Sequence, residues 1–112
     1  MVKFTFDVSS PDFKSMKDKA IEAALETIGL VAETYAKLNL ERDPRRIDTG
    51  DLRKSITHTY DADTAYVGTP MEYGPYVEFG TVKMIENPFI RDAVREHIKE
   101  YRDIAKKALE NA

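Results

Sequence analysis

Val2, Phe4, Phe6 and Val8 alternate with Lys3, Thr5 and Asp7. That period of two predicts a strand with one buried face. The rhythm changes at "SSPD", where Ser10 can cap a helix and Pro11 can take its first position, at which a missing N–H does no harm. Over 12–38, Phe13, Met16, Ala20, Ile21, Ala24, Ile28, Val31, Ala32, Tyr35 and Leu38 recur at steps of three and four, the signature of one face of a long helix. Gly29 lies inside it at a cost of about 1 kcal/mol relative to alanine, so it marks a bend or a close packing contact.

"ERDPRRIDTGD" (41–51) ends that helix, because Pro44 disfavours helix at Asp43 and the mixture of charge, Pro and Gly favours an exposed loop. A brief helical turn over 51–54 leads into a strand over 55–60. "DADT" reverses the chain, and 65–68 returns as the second strand of a hairpin. Pro75 can open a short helical turn that Gly80 closes with left-handed backbone. Asn87 is expected to cap a last helix with Pro88 at its first position, and Ile90, Val94, His97, Ile98, Tyr101, Ile104, Ala105 and Ala108 form its inner stripe. The sum is α+β: a small, mainly antiparallel sheet packed against two long helices. The order is N-terminal strand, long helix, hairpin, short helical turn, C-terminal helix.

Composition narrows the function. A chain of 112 residues is expected to form one domain over 1–112. With no cysteine, disulfides and thiolate metal sites are excluded. A formal net charge of −3 argues against the whole chain being a nucleic-acid binder, which would carry a basic footprint. No apolar run reaches the ~20 residues that span a bilayer. The alternating N-terminus lacks the continuous apolar stretch of a signal peptide. A soluble product, cytoplasmic where it is made and without a membrane partner, is expected.

Catalytic constellations are sparse. Asp48-Thr49-Gly50 matches the triplet of retroviral-type aspartic peptidases, in which two such carboxylates share a proton. Those enzymes need the triplet on a buried turn between apolar strands, whereas "RDPRRI" precedes it here, so Asp48 or Thr49 reads better as a helix cap. His58 and His97 fall on different predicted elements without paired metal-ligand spacing. Gly68, Gly74 and Gly80 stand too far apart for a phosphate loop. No catalytic residue, metal or cofactor is expected. Arg42, Arg45, Arg46, Arg53 and Lys54 make a basic cluster diluted by acidic neighbours. It reads either as a solvated loop or as a contact for an acidic partner or DNA phosphates.

One stretch stands out. "YGPYVEFGT" (73–81) packs aromatics beside backbone-bending residues, and Tyr73, Tyr76 and Phe79 are spaced by three. Part of this ridge, with Pro75, Met84 and Ile85, is expected to pack against another chain, because the helices and strands already supply a core for so small a domain. Tyrosine suits that role, with an apolar ring and a hydroxyl that can stay wet. The rival reading is a cellular homo-oligomeric binding module.

The segments "IDTGDLRKSI" (47–56), "YVGTPMEYGPYVEFGT" (66–81) and "MIENPFIRDAV" (84–94), in that order, resemble the tail-completion and head-to-tail joining proteins of long-tailed bacteriophages, often called minor tail proteins. Gly74-Pro75 and Ile85-Glu86-Asn87 depart from the usual pattern of that family. The resemblance implies a virion structural protein without enzymatic activity or cofactor. It would form a homo-oligomeric ring, commonly six-fold, between the connector near the portal and the tail tube, in the host cytoplasm until assembly. DNA would pass through that ring.

Overall fold

The computed structural model describes residues 2–7, 18–41, 49–61, 64–83 and 85–110. Its elements are β1 (Val2–Asp7), α1 (Asp18–Glu41), α2 (Thr49–Ser55), β2 (Thr57–Tyr60), β3 (Thr64–Thr69), α3 (Gly74–Phe79), α4 (Phe89–Arg95) and α5 (Ile98–Glu110). The fold is α+β, as the hydrophobic pattern predicts.

The sheet has the order β1-β3-β2, with both pairings antiparallel. Val2, Phe4 and Phe6 stand opposite Thr69, Val67 and Ala65 of the central strand. Those three β3 residues are all buried, and residues directly opposite in an antiparallel pair share a face.

Helix α1 crosses that face and also packs against α4 and α5. The core gathers Leu25, Ile28, Ala32, Ala36 and Leu40 from α1 with Leu52, Ile56, Val67, Phe89, Ile90 and Tyr101. The buried stripe of α1 is turned from the one the spacing suggests: Leu25, Ala36 and Leu40 point in, while Leu38 is 50% exposed. The small Ala32 and Ala36 leave room for α1 to lie close against its neighbours. Phe13 and Met16 lie outside the described residues.

The expected single C-terminal helix is divided into α4 and α5, with Glu96 and His97 between them. No proline or glycine marks the break. The Tyr101 hydroxyl donates to the Ala93 carbonyl, the group that a continuous helix would offer to the His97 N–H. His97 instead lays its ring flat on Tyr35 of α1, with centroids 3.5 Å apart and planes within 1°. Tyr35 donates to Glu100 Oε2 at 2.5 Å, tying α1 to the start of α5.

Candidate assembly surface

Helix α3 is six residues long and starts as the sequence suggests, with Pro75 at its N-terminus. Gly80 closes it at φ 76°, a backbone region that L side chains rarely adopt, and returns its N–H to the Tyr76 carbonyl at 2.8 Å. The aromatic ridge divides there. Tyr73 is half-buried and packed against the core, and Pro75 is half-buried. Tyr76 and Phe79 are 57% and 54% exposed, Val82 is fully exposed, and Ile85 is 83% exposed. Met84 lies outside the described residues. Val82 was missed by sequence reasoning, because a lone valine between threonine and lysine carries no periodic signal.

Beneath these apolar side chains lies a polar device that the sequence did not reveal. Glu78, on the opposite side of α3, is completely buried. Its carboxylate accepts the Ile90 N–H at 2.8 Å, the Arg91 N–H at 3.2 Å and Arg91 Nε at 2.7 Å. Glu78, not Asn87, therefore caps α4, and Pro88 occupies the N-cap position itself. A carboxylate reaching in from α3 satisfies two N–H groups and favours the positive end of the helix dipole. Asn87 turns elsewhere: its N–H donates to the Val77 carbonyl at 2.8 Å and its amide to the Asn39 carbonyl at 3.3 Å. Asn39 donates in turn to the Phe89 carbonyl at 3.0 Å, so α1, α3 and α4 meet in one network.

Arg91 completes the corner. It donates from Nη2 to the Glu78 carbonyl at 2.6 Å and to Glu86 Oε2 at 2.9 Å. The bonds to Glu78 and then to Glu86 hold the guanidinium pKa above its ordinary value. The guanidinium lies 4.6 Å from the centre of the Phe79 ring, within cation–π range.

Two residues from separate sequence segments meet a short distance away. The Ser55 hydroxyl at the end of α2 lies 2.5 Å from the Thr69 hydroxyl at the end of β3, and Ser55 donates to the Leu52 carbonyl at 2.6 Å. Thr69 is wholly buried and accepts the Met71 N–H at 3.1 Å. Gly74 packs against it so closely that a Cβ there would lie 2.8 Å from Thr69 Cγ2.

At the β2 edge of the sheet, His58 stands opposite Val67 and sits between two carboxylates of α1. Nε2 is 2.9 Å from Glu26 and Nδ1 is 3.1 Å from Glu33. Desolvation lowers its pKa, but the hydrogen bonds and charges of both carboxylates outweigh that effect, and the net shift is upward. A Cβ on Gly29 would approach His58 Cδ2 to 2.8 Å. The helix-interior glycine therefore marks the close contact of the two alternatives its sequence position offered.

The basic cluster is only partly described. Arg53 is exposed on α2 and pairs with Glu41 at 2.9 Å, Lys54 is exposed, and Arg42, Arg45 and Arg46 lie outside the described residues. Thr49 and Gly50 belong to the first turn of α2 rather than to a turn between strands, so the setting a peptidase triplet needs is missing; Asp48 lies outside the described residues. Among the described residues there is no cluster of His, Asp and Glu suited to a metal ion. No helix among them is long and apolar enough to cross a membrane.

These observations define an α+β protein whose polar groups lock its elements inward while apolar side chains stand exposed at one corner. The sequence model of one family, described as "Bacteriophage HK97-gp10, putative tail-component", matches residues 6–80, and the chain belongs to that family. Membership makes it a phage tail component with a structural role, working among other virion proteins. The match takes in the 47–56 segment and nearly all of the 66–81 segment that suggested phage proteins, and stops before the third at 84–94. No curated protein and no solved structure matches the chain significantly.

Proposed function

We propose that this tail component forms or joins a ring at the head–tail junction during tail completion, with residues 1–112 acting as one assembly domain. The observation that carries the reading is the exposure of Tyr76, Phe79, Val82 and Ile85 within one short stretch at the α3 corner. Apolar surface of this kind gains free energy when a neighbour covers it. Tyr73 and Pro75 support the surface from below, and Met84 is assigned to it by sequence position.

A closed ring repeats one heterologous contact, so each copy must also present a second, different patch. The outward face of α1 supplies it. Ala23, Thr27, Leu30, Thr34 and Leu38 follow one another at steps of three and four and are all exposed, with no charge among them. Thr27 and Thr34 turn their hydroxyls to the carbonyls of Ala23 and Leu30, at 2.9 and 3.0 Å. The neighbouring copy's α3 corner is the occupant we assign to this face, in a ring of six. Connector and tail-tube proteins would cover the ring's ends. Arg42, Arg45, Arg46, Arg53 and Lys54 would meet DNA phosphates in transit or an acidic partner.

The test combines particle mass with imaging. Rings, or capping of tail tubes, are expected for the wild type, and Tyr76→Ala and Phe79→Ala should weaken assembly more than the exposed Lys106→Ala. Equal assembly by all three variants, or a dimer that forms only with a small ligand, overturns the reading.

A further inference from the structure

An exposed aromatic ring loses rotational freedom when a partner covers it, and each such side chain costs affinity. Phe79 already has a partner on one face. Its ring carries the Arg91 guanidinium, which Glu78 and Glu86 grip from three directions. Glu78 is buried and also holds two N–H groups of α4, so it cannot turn away without leaving those donors unpaired. The same pair closes the base of the segment that follows α3: Glu86 is tied to Arg91, and the Val77 carbonyl accepts the Asn87 N–H.

We infer that Arg91 is a positioning residue of the assembly surface: seated on Glu78, it fixes the Phe79 ring in its binding orientation before a second copy arrives. The inference rests on the assembly reading above and adds a division of labour to it. Phe79 supplies contact, while Arg91 supplies readiness and need not touch the neighbour. Lysine cannot substitute, because a point charge on a flexible stem offers neither the planar face nor the paired donors.

Proton NMR of the uncombined protein reads the geometry directly. Ring current from Phe79 should displace the Arg91 side-chain protons upfield, Phe79→Leu should abolish the displacement, and Arg91 Nε–H should exchange slowly. Sedimentation then reads the consequence. Arg91→Lys should weaken self-association roughly two- to tenfold, the range expected for one side chain left to be ordered on binding, and should add nothing in a Phe79→Ala background. If Arg91→Lys does not fold, Arg91→Gln, which retains a planar donor toward Glu78, takes its place.

Absence of the upfield displacement in the wild type overturns the inference. So does an Arg91→Lys effect of undiminished size in the Phe79→Ala background. A loss with Phe79→Ala and none with Arg91→Lys removes the positioning role and leaves the assembly surface standing. No loss with either removes the inference, and no loss with Tyr76→Ala as well removes the assembly surface.

Discussion

His58 and Glu78 are both ionisable side chains at contacts between elements, and they are held in different ways. His58 lies between β2 and α1, part-buried, with one carboxylate at each ring nitrogen. Both nitrogens must carry protons to serve two acceptors, so that contact depends on the histidine being charged. Glu78 lies between α3 and α4, wholly buried, with backbone donors and a guanidinium that stays charged at every ordinary pH. The first contact ties the four-residue edge strand β2 to the 24-residue α1, whose apolar face is already covered by the core. The second holds down short elements that have little apolar surface to spare, and it does so while Tyr76 and Phe79 face outward. Where a helix of only six residues must display its aromatics, a buried charge network takes over the fastening that apolar packing performs elsewhere.

The largest effect should follow from breaking the second contact. Glu78→Ala removes the cap of α4 and leaves Arg91 without its main partner, for an expected loss of about 3 kcal/mol in urea unfolding. Glu78→Gln keeps an acceptor oxygen and should lose less. A Glu78→Ala protein within about 0.5 kcal/mol of wild type, the range of ordinary surface changes, would mean that the corner is fastened by packing after all.

Gly29 gives a smaller effect with a diagnostic sign. Alanine gains about 1 kcal/mol of helix propensity, but its Cβ would press on both Cβ and Cδ2 of His58, at 3.1 and 2.8 Å. Overpacking of this kind costs roughly 1–3 kcal/mol, so Gly29→Ala should be net destabilising by about 1 kcal/mol in the wild type. In a His58→Gly background all of these atoms are gone and the same substitution should stabilise. Stabilisation in both backgrounds would mean that the β2–α1 contact yields easily.

These two sites also show what could be read from the chain. Strand alternation, helical spacing and turn residues are local, and β1, α1, the β2–β3 hairpin and α3 were accordingly legible, whereas Gly29 could be read only as a bend or a close contact. Glu78 was not, because its partners Ile90 and Arg91 lie 12 and 13 positions away on another element. A lone glutamate among aromatics looks like an exposed charge until the fold brings a helix N-terminus to it. The break at Glu96 and His97 was hidden for the same reason: its cause is Tyr101 and Tyr35, not a local breaker. The ridge was legible as three aromatics at equal spacing. Which of them would face outward depended on a helix too short to show a stripe.

The His58 contact should show a modest pH dependence. Its pKa is raised in the folded protein, so the folded state holds the proton over a range in which the unfolded chain has released it. The stabilisation is complete below the ordinary histidine value of about 6.5 and is lost as pH rises through the folded value. Glu26→Gln with Glu33→Gln should flatten unfolding free energy against pH across that window, while Glu78→Gln should leave the slope in place. A wild-type protein with no slope there would show that folding does not raise the His58 pKa.

The smallest change in stability should come from the residue with the largest proposed role in assembly. Tyr76 is more than half exposed and makes no hydrogen bond through its hydroxyl among the described contacts. Tyr76→Ser should therefore shift unfolding free energy by no more than about 0.5 kcal/mol. Tyr73, three residues earlier and packed against the core, should cost more when cut to alanine, because its ring is already covered within its own chain. Measured side by side in urea unfolding and in sedimentation, the two tyrosines should exchange rank: Tyr73→Ala worse for folding, Tyr76→Ser worse for association. If Tyr76→Ser proves the more damaging to folding, the α3 corner is closed upon itself in solution. The contrast between an inward-held and an outward-facing half of the molecule would then disappear.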